Sequence, residues 1–358
     1  MGVTDSGAGP LDLPIASVVV ACRNEEAHIG RCLDSLLEGG YPPARLDIIV
    51  VDGMSTDGTR EIVRDYGSRF PCVRLVDNPA RITPAAFNAG VRAARGEVVA
   101  IVGSHATYER GYLVQLVRHL IGYGADEAGA IARYLPRNDT PLGRAIVVAL
   151  SHPFGAGANV AYKLGVDRPQ WVDTVSSGCY RRDVFDRVGL FNERLIYSQD
   201  IEFNARLRRA GGRILLVPSA VIEYYAHSDA RGFLQHTFRN GVWVVLPLLH
   251  THVFPMSWRH FVPMAFVTAL LVGAALWPFL GAWPLLLVAT PYVVTSLVLS
   301  IGVAVRRRSM AYASTLPPTF AALHVTYGLG SIWGLARFVF AKLRSSPPSA
   351  APAVVAKR

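Results

Sequence analysis

From His260 to Val305 the chain carries no Asp, Glu, Lys or Arg, and this run is broken only near Gly281-Ala282-Trp283-Pro284. Each half is close to the ~20 apolar residues that one helix needs to cross a bilayer core. Burying such a hairpin inside a soluble protein needs a surrounding mass that the rest of the chain does not supply, so membrane helices are expected. Arg259 precedes the first half and Arg306-Arg307-Arg308 follows the second, which by the positive-inside rule puts both outer ends in the cytoplasm. A third uncharged stretch, Ser309 to Ala336, contains Pro317-Pro318 and stops before Arg337, Lys342 and Arg344. Its length allows a third span, whereas the charge rule favours an interfacial or re-entrant segment, and both readings stay open.

Charge divides the chain at the same place. Every Asp and Glu lies at or before Asp229 and eleven Lys and Arg follow it, so the net charge of +10 belongs to the tail and the front is near neutral. A nucleic-acid binder would carry its basic surface on the folded domain. Here the cations flank apolar segments, so the anionic partner is membrane lipid and not nucleic acid. The expected organisation is a disordered N-terminus over 1–14, an α/β domain over 15–230, an amphipathic interface segment over 231–259, two or three transmembrane helices over 260–340, and a basic cytoplasmic or disordered tail over 341–358. Met1 to Pro14 has neither the basic start nor the apolar core of a signal peptide, which places the α/β domain on the cytoplasmic side of an inner membrane. Cys22, Cys32, Cys72 and Cys179 lack CxxC spacing and a clustered His, which suits reduced thiols better than structural zinc.

The front half alternates between periods of two and 3.6. Ala16 to Ala21 reads as a strand and Glu26 to Leu37 as a helix; Ile48 to Val51, Val73 to Val76 and Val98 to Val102 read as further strands. Thr59 to Tyr66 and Pro84 to Ala94 read as helices, the latter capped by Thr83. Such alternation implies a mostly parallel sheet covered on both faces. Two strands run straight into polar loops, in VVVACRNEE (18–26) and IIVVDGMSTDGT (48–59). In open α/β sheets ligands sit beyond the carboxyl ends of strands, and Asp52, Ser55, Thr56, Asp57 and Thr59 either bond sugar hydroxyls there or cap the next helix. Further on, Tyr197-Ser198-Gln199-Asp200-Ile201-Glu202 opens a basic amphipathic helix, the setting for a partly buried general base at Asp200.

With these segments the chain resembles the family 2 glycosyltransferases of the GT-A fold, and within them the membrane-bound exopolysaccharide enzymes of the succinoglycan type. The resemblance runs from about Ile15 to about Gly241. It implies a nucleotide-sugar-binding, Rossmann-like domain, with a UDP-sugar favoured as donor and a polyprenyl-linked glycan as acceptor. Asp52 resembles the residue that holds the base or ribose, and Arg23, Asn24 and Glu25 the loop closing over the base. Arg81 and Asn88 match the segment along ribose and diphosphate, beside Ser55 and Ser104. Asp173, Ser177, Gly178 and Gln199 resemble the loops under donor sugar and acceptor, where Gly178 lets backbone approach the substrate. The stretch from Tyr180 to Phe191 reads as a packing helix. Gln235 and Arg239 loosely echo a QxxRW signature that serves the diphosphate, while Phe233, Phe238 and Trp243 read as interface packing, with Trp243 at headgroup level.

At Gly103-Ser104-His105 the chain departs from the resemblance, which implies an aspartate-bearing metal motif there. Gly103 takes the first position and only His105 remains. A lone imidazole suits Mg2+ poorly and Mn2+ better. Three readings follow: His105 with a borrowed carboxylate and Mn2+ or Mg2+; basic side chains such as Arg81 or Arg239 in place of metal; or a membrane scaffold or sensor that has lost transfer. The expected reaction is a displacement with inversion, for which one base, Asp200, suffices.

Overall fold

The computed structural model describes residues 13–157, 166–175, 177–251 and 257–345. The expectations for 1–12, for 252–256 of the interface segment and for 346–358 of the tail lie outside the described residues, as does Ser176.

Strand β1 (Ala16–Cys22) is fully apolar apart from Ser17 and is buried along almost its whole length, as a central parallel strand must be. It pairs in parallel with β2 (Leu46–Asp52) and β4 (Val98–Gly103), and β2 pairs with β3 (Val73–Asp77). Cys22 lies opposite Asp52 and Ala21 opposite Gly103, so three strands end level with one another and bring their loops to one place. Helices α1 (Ile29–Leu37), α2 (Thr59–Arg69) and α3 (Thr83–Ala93) make the crossovers. The α3 boundary falls at Thr83, but Ile82 is the cap residue and no side chain caps the helix.

After β5 (Ala106–Tyr108) and α4 (Tyr112–Gly122) the pairing becomes mixed. Strand β6 (Glu127–Pro136) lies parallel to β9 (Ile214–Ala226), whereas β7 (Gln170–Val172) and β8 (Cys179–Arg181) are antiparallel to their neighbours. The order is β3-β2-β1-β4-β8-β6-β9-β5, with β7 on β9. The parallel sheet therefore covers the front half, and the second half folds back on it as a mixed sheet. One expectation needs correction here: Tyr180 belongs to a strand, not a helix, because β8 must fill the slot between β4 and β6. Helix α7 (Asp183–Val188) begins only after it; α5 (Pro141–Ser151) and the short α6 (Pro153–Ala156) precede it, and α8 (Gln199–Arg209) follows. Apolar side chains fill both faces of the sheet, one cluster around Ile48, Leu116 and Leu120 and the other around Ile49, Phe191 and Phe203.

Behind the sheet come α9 (Ala230–Val245), α10 (Val262–Leu280), α11 (Trp283–Arg306) and α12 (Ala311–Ser345). Among the described residues two helices are long and apolar enough to cross a membrane, Trp258–Leu280 and Trp283–Arg306, and little of either is buried by protein. The third apolar stretch is one helix of 35 residues that runs through Pro317-Pro318. Its first half buries Tyr312, Leu316, Phe320 and Leu323 against α5, together with Phe233 of α9. Its second half lies along α9 so closely that a Cβ on Gly330 would stand 2.1 Å from the Phe238 carbonyl oxygen, and one on Gly334 2.5 Å from that of Val242. Gly241 of α9 meets the Tyr327 carbonyl oxygen in the same way, at 2.1 Å. Small residues are what allow two helix backbones to touch like this.

Candidate active site

A cavity of about 300 Å3 opens where β1, β2 and β4 end, lined among others by Arg23, Glu25, Gly53, Arg81, Ser104 and His105. Its rim consists of two loops sewn together. The Asn24 amide donates to Ser55 Oγ (2.8 Å), the Thr56 amide to Asn24 Oδ1 (2.9 Å), the Glu25 amide to Thr59 Oγ1 (2.7 Å), and the Gly58 amide to Glu26 Oε2 (2.8 Å). Strain concentrates here as well. Six described non-glycine residues have positive φ, and five of them, Asn24, Met54, Arg81, Ser177 and Ser198, sit in the loops that carry the expected site residues. Sparsely populated backbone conformations gather where function over-determines geometry.

Asp52 does not line the cavity. It is fully buried, with Oδ2 accepting from the Ser55 amide (3.0 Å), Oδ1 from the Ser55 hydroxyl (2.5 Å), and Arg60 paired to it at 2.5 Å. Burial alone would raise its carboxyl, but the Ser55 bonds and Arg60 outweigh that and hold it below the usual carboxylate range. Asp52 and Ser55 thus shape the turn, and the neighbouring Gly53 faces the cavity. Arg60→Gln leaves a buried carboxylate short of a charged donor and should cost about 1–3 kcal/mol. The folded value is depressed, so this stabilisation is present above the ordinary carboxylate pKa and lost as pH falls through the folded one. Thermal unfolding should therefore separate wild type and variant by several degrees at pH 7, and the gap should close only in strong acid.

Three further expected residues have partners within the protein. Asn88 is buried; its amide donates to the Phe191 carbonyl and to Glu193 Oε1 and accepts from the Phe191 N–H, all at 2.9 Å, and so ties α3 to the loop before α8. Asp173 is exposed and pairs with Arg208 at 3.0 Å. Gly178 is needed by the protein's own interior, because a Cβ there would come within 2.2 Å of Glu127 Oε1. The Ser177 carbonyl accepts from the Tyr112 hydroxyl at 3.2 Å.

Asp200 sits in the first turn of α8, where its Oδ1 accepts from the Ile201 amide at 2.9 Å. Burial lifts its carboxyl above the ordinary range, and that hydrogen bond offsets part of the rise. Helix α9 packs beside this turn. Tyr197 meets Trp243 at 5.6 Å between ring centroids, Arg239 lies 4.8 Å over the Tyr197 ring, and Ser198 Oγ reaches the Trp243 carbonyl at 3.4 Å. Trp243 thus packs against the turn that precedes Asp200, while Phe233 is buried. Gln199 Oε1 is buried without a partner, and Gln235 is exposed on α9.

Sequence reasoning missed Arg137, His227 and His236, which come from the ends of β6 and β9 and from α9. His105 stands 5.3 Å from the Tyr224 ring and 3.8 Å from Glu25 Oε1. Burial pushes His105 down to about 4, helped by Arg137, His28 and His227. His236 is likewise pushed down to about 4 by burial and then by Arg239. These imidazoles are neutral at pH 7, so the standing positive charge at this end belongs to arginines, Arg137 and Arg239 among them. Burial also raises Glu25, with Arg137 offsetting part of the rise. Among the described residues no three His, Cys, Asp or Glu side chains converge on a metal-sized site. One imidazole and one carboxylate 3.8 Å apart fall short of the oxygen-rich set that Mg2+ requires, so the side chains do not by themselves build a Mg2+ site.

The sequence profile described as Glycosyl transferase family 2 matches residues 17–189, which span the sheet's parallel half and both sewn loops. These residues are a family 2 glycosyltransferase domain. The chain is 27% identical over 287 residues to the succinoglycan biosynthesis protein ExoA of Rhizobium meliloti (strain 1021), covering 74% of this chain and 86% of that one. It is also 27% identical over 234 residues to the dolichyl N-acetyl-alpha-D-glucosaminyl phosphate 3-beta-D-2,3-diacetamido-2,3-dideoxy-beta-D-glucuronosyltransferase of Methanococcus voltae, covering 63% and 71%. A solved structure of the mannosyltransferase PcManGT from Pyrobaculum calidifontis, in complex with GDP-Man and Mn2+, superposes with a TM-score of 0.55 at 20% identity, over 92% of this chain and 90% of that one. The glycosyltransferase domain has the GT-A fold in that likeness.

Proposed function

We propose that this glycosyltransferase moves a sugar, with inversion, from a nucleoside-diphosphate sugar to a hydroxyl of a lipid-linked or polysaccharide acceptor at the cytoplasmic face of a membrane. The observation that carries the reading is Asp200: a half-buried carboxyl that burial lifts above its ordinary range, in the first turn of a helix whose preceding residues Tyr197 and Ser198 pack against Arg239 and Trp243 of α9. A carboxylate whose pKa is raised in this way is a stronger base than a free one. The names of the relatives, a succinoglycan biosynthesis protein and a dolichyl-phosphate-sugar transferase, favour a glycan acceptor on a lipid carrier. The two apolar helices would bring that carrier to the site.

In this reading the donor's base and ribose lie against Arg23, Gly53 and Arg81, and its diphosphate points toward His105. Arg137 and Arg239 supply the counter-charge as the leaving group develops its negative charge, the role that arginine's fixed fork fills well. Asp200 accepts the acceptor's hydroxyl proton while that oxygen attacks the anomeric carbon from the face opposite the diphosphate. Purified protein in detergent, given UDP- and GDP-sugars with a polyprenyl-diphosphate glycan, should release nucleoside diphosphate with formation of a longer glycan. Tight nucleotide binding with no release from any sugar would instead support a scaffold or sensor. Arg137→Ala and Arg239→Ala should each weaken donor use about tenfold or more in kcat/KM, since each removes a charge-assisted contact.

A further inference from the structure

We infer that Glu127 is a positioning residue for the general base: a neutral carboxyl that fills the space beneath Gly178 and stands between Tyr180 of β8 and the turn of α8 that bears Asp200. The inference rests on the transfer reading above and adds a second carboxyl to it.

Glu127 opens β6, in register with Tyr180 of β8, and is fully buried. Neither of its oxygens has a well-formed hydrogen bond. Two acceptors on α8, Gln199 Oε1 and Asn204 Oδ1, are also buried without a donor. The orientation of the Asn204 amide is fixed, because its Nδ2 donates to Thr174 Oγ1 (2.9 Å) and the Val175 carbonyl (3.3 Å). A carboxylate at 127 would add acceptors to a dry site already short of donors. A protonated carboxyl adds a donor instead. Gly178 has no side chain because this carboxyl fills its space, with Oε1 only 2.2 Å from where a Cβ would stand. Glu127 therefore separates the loop under the substrates from the helix that bears Asp200.

The titratable groups facing it are Cys179 and Tyr180 on β8 and Asp200 on α8. Burial pushes Glu127 up to about 8; the Tyr180 hydroxyl and the Asn204 amide pull the other way, while the Asp200 charge adds to the rise. Burial lifts Cys179 to about 12 and Tyr180 well above its usual value, so neither competes for the proton below that range. With Glu127 neutral, Asp200 holds the single negative charge of the cluster, as a working base requires. Ionisation of Glu127 would put a second, unpaired charge under Gly178 and move the floor on which the sugar and acceptor rest.

The pH dependence of kcat tests this. Wild type should show an acid limb and an alkaline limb that belong to the coupled pair, the second near pH 8. Glu127→Gln keeps a donor and cannot ionise, so its alkaline limb should move up by at least about one pH unit. Glu127→Ala should lose about tenfold in kcat with donor KM little changed, and Gln should recover most of that loss. The folded pKa is raised, so the stabilisation that Glu127 gives is present below the ordinary carboxylate range and fades as pH rises toward 8. The Gln variant should gain thermal stability over wild type across that window. An alkaline limb unmoved by Gln overturns the inference. Should the variants fail to fold, infrared spectra of wild type carrying 13C-labelled glutamate decide it alone. A neutral glutamic acid carbonyl band at pH 6.5 that persists in Glu25→Gln and disappears by about pH 9.5 is expected, and its absence overturns the inference. Wild type that releases no nucleotide from any sugar defeats the transfer reading instead, and the infrared result still stands.

Discussion

Asp200→Asn should lower kcat by about 10²- to 10⁴-fold, the usual contribution of a positioned general base, while donor KM stays within about twofold of wild type. Asparagine keeps the size of the side chain and an oxygen for the Ile201 amide, so the first turn of α8 has no reason to unwind. In the proposed reaction, what disappears is the basic oxygen that takes the acceptor's proton. The pattern matters as much as the size of the loss: an interaction made only in the transition state lowers kcat and leaves the affinity for donor alone. Steady-state nucleotide release with a saturating acceptor reads kcat, and fluorescence titration with donor reads affinity. A variant with ordinary turnover would remove Asp200 from the mechanism. Loss of donor binding in step with turnover would turn it into a donor ligand.

The second large effect is expected far from any polar chemistry. Gly330→Leu places a branched side chain where a single Cβ would already be 2.1 Å from the Phe238 carbonyl oxygen. Neither helix can yield locally, since the obstacle is backbone, so α9 and α12 must separate. Overpacking of this kind costs about 1–3 kcal/mol. The larger consequence lies in catalysis, because α9 carries Arg239 and Trp243, which hold Tyr197 and Ser198 beside Asp200. A displacement of about 1 Å in a catalytic constellation is worth about 100-fold in rate, and a loss of that order in kcat is expected with the protein still folded. Gly330→Ala should fall between the two. Limited proteolysis alongside the kinetics separates a shifted helix from a collapsed domain. Undiminished turnover in the leucine variant would show that the catalytic turn is held without α12.

What could be read from the chain follows from what periodicity encodes. The four front strands were legible because β1, β2 and β4 are apolar runs bounded by loop residues, and their helices showed one apolar face. Asp200 stands out in the sequence because an acid at the start of a basic helix is a local pattern. Partnering is not local. Asp52 and Asn88 look like ligand-binding residues in sequence, yet Arg60 and Phe191 satisfy them, and only the fold brings these partners within 3 Å. Arg137, His227 and His236 belong to one end of the site but come from segments some ninety residues apart, in stretches without a motif. Glu127 did leave a signal: it is an acid at the inward end of EAGAIARYL, where a buried strand should begin with an apolar residue. The stretch around Tyr180 misled because a three-residue strand is too short to establish a period of two.

The sewn rim has a thermodynamic consequence. Loops at the mouth of a nucleotide site are commonly slack until the ligand arrives, and part of the affinity is then lost to quieting them. Here the loop after β1 and the loop after β2 hold each other through backbone amides and the side chains of Asn24, Ser55, Thr59 and Glu26. Their disorder is given up when the chain folds and not at each encounter with a donor, so this mouth is preorganised. Its two lips should show common protection in amide hydrogen exchange, opening together or not at all.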